Sequence, residues 1–378
     1  MHSRWRVLPL LALLAAGCED RPSPPGPKEQ AEGYYIKGNT EYLQGKFDEA
    51  IASFNTMKEL SPDDPRLPAA FGEVYLSMGR FNDAATWFEL ALKRDPKRST
   101  NWSRMGFIHA QLGRLDEAES ALRKALAIYP RDFNALEQLA EIALKRGDKD
   151  GAVKHFVLAA ESSPDASKSA LLLRAAEVLT RDERHADALL LLGDWVGKGV
   201  RTPEMLSALG DEQVRAGQLL PAAASYREAA SNSPRDPTLW ELVGEIYTKL
   251  DKPADALAAY RESLRVKERA IVHVAIARLH LGRNERQAAE EELGKALEAV
   301  SGSDVRELTE LSELLSTLGR KPDALRILIN LSAEPDHAKD VELQLRTAGL
   351  AQELKDEATV RTVCARIASS GVKLKKCP

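Results

Sequence analysis

The sequence offers no constellation of groups that could carry a reaction. Its seven histidines (His2, His109, His155, His185, His273, His280 and His337) are scattered. His273 and His280 fall two turns apart on one predicted helix, but no acidic or cysteine partner completes a metal set, and such a pair reads as packing. No serine, cysteine or lysine has a companion that would activate it as a nucleophile. A phosphate-cradling glycine loop is missing too, since each glycine is explained by a repeat position or a helix end. Nor is there a basic excess: 53 Lys and Arg against 57 Asp and Glu give a formal net charge of −4. That argues against a nucleic-acid partner, which calls for a basic surface. Cysteine is scarce as well, at three residues, Cys18, Cys364 and Cys377. An enzyme with its own cofactor or small-molecule substrate is therefore not the expectation.

What the chain does have is a beat. Pro62, Pro96, Pro130 and Pro164 recur at intervals of 34 residues. Ala50, Ala84, Ala118 and Ala152 keep the same interval and, after a slip of two residues, Ala188, Ala222 and Ala256 resume it, with Pro234 in phase. Within each period lie two runs of apolar residues three or four apart, the signature of two amphipathic helices. Glycine at the eighth position (Gly38, Gly72, Gly106, Gly210, Gly244) leaves room for a second helix to pass closely, and alanine at the twentieth and twenty-seventh positions does the same from the other side. Gly45, Gly79, Gly113, Gly147 and Gly217 stand where the first helix should end in a left-handed residue. The prolines stop the second helix and open the next period. One such pair buries too little apolar surface to stand alone, so neighbours must stack.

This pattern, clearest in Trp102, Met105-Gly106, Gly113, Ala118, Leu122, Ala125 and Pro130, resembles the tetratricopeptide repeat (TPR). The resemblance implies an all-α TPR solenoid, a right-handed superhelix of helix-turn-helix repeats, with about nine repeats and carboxy-terminal capping helices. Residues 31–166 hold TPR 1–4, and 167–202 a divergent TPR 5. There Glu183 replaces the turn glycine, Trp195 takes a position that is elsewhere small, and Gly193, Gly197 and Gly199 crowd the second helix. A hinge and a locally repacked repeat with Trp195 buried are both open. TPR 6–7 occupy 203–270, degenerate TPR 8–9 occupy 271–338, and 339–378 form a helical cap and tail.

Residues 1–17 read as a signal peptide, with Arg4 and Arg6, an apolar stretch from Val7 to Ala16, and small residues at the end. Leu14-Ala15-Ala16-Gly17-Cys18 resembles the bacterial lipobox, which implies cleavage before Cys18 and acyl chains on it; ordinary signal cleavage is the alternative. Several acyl chains would anchor the mature chain stably. Residues 18–30, with Pro22, Pro24, Pro25 and Pro27, read as an extended tether of roughly 3 Å per residue. Glu19 stands where aspartate favours inner-membrane retention in enteric bacteria, and Asp20 follows; the expected side is the periplasmic face of the outer membrane. Cys364 and Cys377 then remain as an even pair in an exported chain, a candidate disulfide pinning the end of the last helix, with two free thiols as the alternative.

In TPR proteins the first helices line a groove, with positions two, five, nine, twelve and thirteen facing it. Here position nine carries Asn39, Glu73, Phe107, Glu141, Glu177, Asp211, Glu245, Arg278 and Glu313, while Glu137 and Glu241 sit at position five. Two readings follow: an acidic groove for a basic segment, or solvated faces neutralised by Glu141–Lys145, Glu177–Arg181, Asp211–Arg215 and Glu245–Lys249 at i,i+4. Tyr35, Tyr42, Leu43 and Phe107 are candidate aromatic and apolar anchors, or else end-capping of the first helices. A clamp for a terminal carboxylate, used by some TPR proteins, is disfavoured because only Asn39 matches it. The expectation is a lipid-anchored periplasmic scaffold that binds extended segments or helices of envelope proteins. An accessory subunit of an envelope enzyme and a structural component with an idle groove are the alternatives.

Overall fold

The computed structural model describes residues 26–299, 305–337 and 339–369. Every regular element among them is an α-helix, and the helices run in pairs. They are α1 (Pro27–Leu43) and α2 (Phe47–Leu60), α3 (Leu67–Ser77) and α4 (Phe81–Arg94), α5 (Ser99–Gln111) and α6 (Leu115–Ile128), α7 (Phe133–Lys145) and α8 (Lys149–Ser162), α9 (Asp165–Arg181) and α10 (His185–Gly197). Then follow α11 (Pro203–Arg215) and α12 (Leu219–Asn232), α13 (Pro237–Lys249) and α14 (Pro253–Val266), α15 (Ala270–Gly282) and α16 (Arg286–Ala299), α17 (Val305–Thr317) and α18 (Lys321–Ala333), α19 (Val341–Glu353) and α20 (Glu357–Ser369). Ten helix pairs are thus present among the described residues. The chain divides into two compact units, residues 1–155 and 156–378. No described helix is long and apolar enough to cross a membrane.

Within each pair the second helix buries one stripe. In α4 this is Ala84, Phe88, Ala91 and Leu92, spaced four, seven and eight residues from the first, the pattern that turns one helix face to a core. The eighth-position glycines are where that stripe lands. A Cβ on Gly72 would lie 2.8 Å from the Phe88 ring, and one on Gly244 2.5 Å from the Tyr260 ring. The same close approach, sixteen positions apart, recurs against an aromatic ring at Gly38, Gly72, Gly210 and Gly244 and against Leu122 at Gly106.

The turn inside each pair needs a left-handed residue. Gly45, Gly79, Gly113, Gly147, Gly217 and Gly319 supply it with φ between 71° and 84°. Glu183, Asp251, Asn284 and Lys355 stand at the same repeat position with φ of 53–60°. The backbone bonds are the same in both cases: Gly45 N–H reaches Tyr42 O and Lys46 N–H reaches Glu41 O, just as Glu183 N–H reaches Thr180 O and Arg184 N–H reaches Leu179 O. The helix-ending motif therefore survives the loss of glycine, at the cost of a strained side-chain-bearing residue.

Two boundaries differ from the sequence reading. α1 begins at Pro27, so residues 27–30 are helix and not tether; Pro27 is at the first helical position, and Gly26 N–H donates to the Glu29 carboxylate at 3.1 Å, a start that proline and an N3 acid both favour. α9 begins at Asp165, ahead of the repeat phase, because Pro164 caps it directly after α8 ends. The two-residue slip is absorbed in that longer helix. Trp195 is buried at 8% exposure, as a repacked fifth repeat requires.

Candidate binding surfaces

In the first unit the predicted aromatic anchors are largely committed to packing. Tyr35 lies 6.2 Å from the Phe54 ring, and the Arg66 guanidinium covers its face at 4.1 Å. Arg66 is held there by Glu32 at 2.7 Å and Asp64 at 2.9 Å; hydrogen bonding to Arg66 lowers the pKa of both carboxyls, and the same bonds raise that of Arg66. Tyr42 shares a 3.1 Å hydrogen bond with Ser77 Oγ of the next repeat. Asn39 Nδ2 donates to its own helix, at Tyr35 O, 2.9 Å away. Glu73 pairs with Arg104 at 2.7 Å across a repeat boundary. Phe107, Glu137 and Glu141 are half-buried on α5 and α7, whereas Leu43 is 82% exposed. Tyr35 and Tyr42 thus have partners within the fold, while Leu43 and, two turns earlier on the same helix, Ile36 are exposed.

The second unit gathers more of the predicted residues. A cleft of about 310 Å³ is lined by Glu241, Glu245, Thr248 and Lys249 of α13, Tyr260 of α14, Ile271, Val272, Ala275 and Arg278 of α15, and Glu310 of α17. Three successive first helices contribute to one cavity, with an apolar floor and charged walls. Burial raises the pKa of Glu241, against the opposing pull of Arg269. Arg269 Nη1 donates to both Glu241 oxygens at 2.8 and 2.9 Å, and Ser263 Oγ donates at 3.1 Å. Arg278 pairs with Glu310 at 2.9 Å. Burial likewise raises the pKa of the Tyr260 phenol. Glu245 and Lys249 face the same cavity, so its wall carries both signs.

Glu177 and Asp211 meet in a second depression of about 330 Å³, together with Thr180, Arg181, Glu212 and Arg215. Glu177–Arg181 forms as expected, at 2.6 Å. The expected Asp211–Arg215 pair is replaced: Arg215 turns to Glu212 at 3.7 Å, and Asp211 accepts from the Tyr226 hydroxyl. The reason is local, because Tyr226 is pressed against Gly210 and its hydroxyl emerges beside Asp211. Of the predicted acids, Glu73 and Glu241 are thus paired with arginines from the following repeat and Glu177 with one on its own helix.

Several consequential residues escaped the sequence reading. Glu212 is 4% exposed and accepts from Thr180 Oγ1 and contacts His185 Nδ1, each at 2.9 Å, tying two repeats together. His273 and His280, paired by spacing, engage carboxylates and not each other. Opposite charges one repeat apart were the available signal: Arg66 with Glu32, Arg104 with Glu73, Arg278 with Glu310, and Arg346 with Glu313 lie 31–34 residues apart. Among the described residues no group of three or more His, Cys, Asp or Glu side chains could hold a metal ion. Cys364 is half-buried on α20 and disulfide-bonded. Cys18 and Cys377 lie outside the described residues.

Tetratricopeptide-repeat family models match residues 41–105, residues 99–132, and residues 10–65 with 207–270. Among curated proteins the chain is similar to RNA polymerase II-associated protein 3 of Mus musculus, 29% identical over 34% of this chain and 19% of that protein. It is also similar to heat shock protein STI1 of Saccharomyces cerevisiae, 32% identical over 30% and 19%, and to the TPR and J domain-containing co-chaperone DNJ1 of Fusarium oxysporum, 29% identical over 44% and 31%. The chain thus spans under a third of the length of these relatives. Solved structures like it include the first TPR of Spaghetti (RPAP3) bound to an HSP90 peptide, 28% identical over 31% of this chain and 94% of that one, TM-score 0.30. Another is a TPR protein from Parabacteroides merdae, 18% identical over 77% and 99%, TM-score 0.33. Repeats matched by family models and helices paired throughout lead to one conclusion: the chain carries tetratricopeptide repeats, and its fold is an all-α TPR solenoid.

Proposed function

We propose that this chain is a protein-interaction scaffold with no chemistry of its own, held by lipid on Cys18 at the periplasmic face of a bacterial outer membrane. Its partners are extended segments or helices of envelope proteins, and its task is to assemble or stabilise an envelope complex. The cleft of the second unit carries the reading. Ile271, Val272 and Ala275 give it an apolar floor, while Glu245 and Lys249 offer charges of both signs for orientation. An apolar anchor supplies affinity and the surrounding charges supply selection. Because Glu241 and Arg278 are already paired, selection rests on matching a mixed wall, and a simply basic segment has little advantage.

The test is capture of partners from detergent-solubilised envelopes, with the intact chain and the Glu245→Ala/Ile271→Ala double variant as parallel baits. A discrete partner retained by the first and lost by the second supports the reading. Equal capture by both contradicts it.

A further inference from the structure

Next to the cleft, on the same helix, lies a histidine whose surroundings demand a charge. His273 is 4% exposed. Its Nδ1 is 2.7 Å from Glu292 Oε2 of α16, and its Nε2 is 2.7 Å from Glu268 Oε2 of the α14–α15 connector. A neutral imidazole has one donor and one acceptor nitrogen. Two ionised carboxylates at hydrogen-bond distance require two donors, so the imidazolium is the form that fits. Other charged groups nearby are spoken for. Lys295 of α16 holds the second Glu292 oxygen at 2.7 Å. From α17, Glu307 contacts Arg269 at 3.5 Å and Glu310 contacts Arg278 at 2.9 Å.

The geometry links this cluster to the cleft through two adjacent residues. Glu268 grips His273, and Arg269 grips Glu241 on the cleft wall. Both belong to the short connector between α14, ending at Val266, and α15, starting at Ala270. We propose that His273 is a charged clasp at neutral pH, and that losing its proton to solvent in alkaline solution frees the Glu268–Arg269 connector and with it the Glu241 wall of the cleft. Deprotonation turns one ring nitrogen into a lone pair facing a carboxylate, and the two repel. Glu268, with its side chain 69% exposed, has water to retreat into and Glu292 does not, so the connector is the side that moves. Burial alone would lower the His273 pKa, but the two carboxylates outweigh it and raise it, which keeps the clasp closed around neutrality. The device requires no bound partner.

The experiment is nitrogen-15 NMR of the histidine rings in the full-length chain, with hydrogen-exchange protection of residues 268–275 followed in parallel from pH 7 to pH 10. The expected result is a doubly protonated His273 ring at pH 7 that titrates above about 6.5, with protection falling about tenfold in step with it. Glu268→Gln is the working variant because the exposed carboxylate can be replaced without disturbing packing. It should shift the His273 midpoint down by about one pH unit. A neutral His273 at pH 7 overturns the clasp, and titration without loss of protection overturns its link to the cleft.

Discussion

Replacing Gly244 by alanine tests how the repeats are held closed. The added methyl would lie 2.5, 2.6 and 2.7 Å from three atoms of the Tyr260 ring, where carbon atoms prefer about 3.5–4.0 Å. The ring must therefore move by about 1 Å. It cannot swing into water: Tyr260 is 4% exposed and packs with Ala256, Leu257, Val272 and Ile276. Overpacking in so confined a place should fall at the upper end of the usual range, about 2–3 kcal/mol. The helix gains about 1 kcal/mol from alanine over glycine, leaving a net loss of about 1–2 kcal/mol. Gly349 of α19 is the internal control, because a Cβ there meets nothing within 4 Å; Gly349→Ala should gain up to about 1 kcal/mol. Stacked repeats open locally, so a global midpoint is a blunt measure. Hydrogen exchange of α13–α14 and α19–α20 amides reads each change where it acts. If Gly244→Ala stabilises α13–α14 as Gly349→Ala stabilises α19–α20, close approach is not what selects the glycine.

Glu183→Gly should stabilise the fifth repeat by about 1 kcal/mol, because the left-handed turn no longer carries a Cβ; protection of α9–α10 amides that stays the same or falls would contradict this. Glu292, hydrogen-bonded chiefly to His273, has its carboxyl drawn down to about 2 from 4.5. Its stabilisation is full above pH 4.5 and is lost as the pH falls toward 2, so Glu292→Gln should flatten the acid limb of a urea-midpoint profile. For His273 the sign is opposite: its contribution is full below 6.5 and fades as the pH rises through the raised folded value. Cys18→Ser should abolish labelling of the chain by radioactive palmitate in growing bacteria and release it from the membrane fraction; retained label would refute the anchor.

How far the sequence could be read depends on which interactions are periodic. The glycine at position eight and the ring sixteen residues later, such as Gly72 with Phe88, are set by helix geometry, and so the pairing of helices was legible. Turn position was legible too, but the sequence did not show that Glu183 or Lys355 would adopt φ of 59°, because there tertiary packing overrides local preference. The polar surface was read less well. Spacing at i,i+4 suggested Asp211–Arg215, yet Tyr226 takes Asp211 and Arg215 turns to Glu212. Long side chains choose among partners on neighbouring helices, and a single helix cannot reveal that choice. Glu212 was missed for the same reason, its partners lying 27 and 32 residues away in the preceding repeat; those of His273 lie 5 and 19 residues away, in the connector before its helix and on the partner helix of its pair, at no helical spacing.

The cleft between first helices is proposed to receive a protein. Site-specific photocrosslinking in growing cells tests it most directly, with a photoreactive amino acid at Thr248 in the cleft and another at the exposed Glu290 on α16. Discrete high-mass adducts are expected from position 248 and none from position 290. Adducts from position 290 alone, or none from 248 in chains that remain folded and anchored, would contradict it.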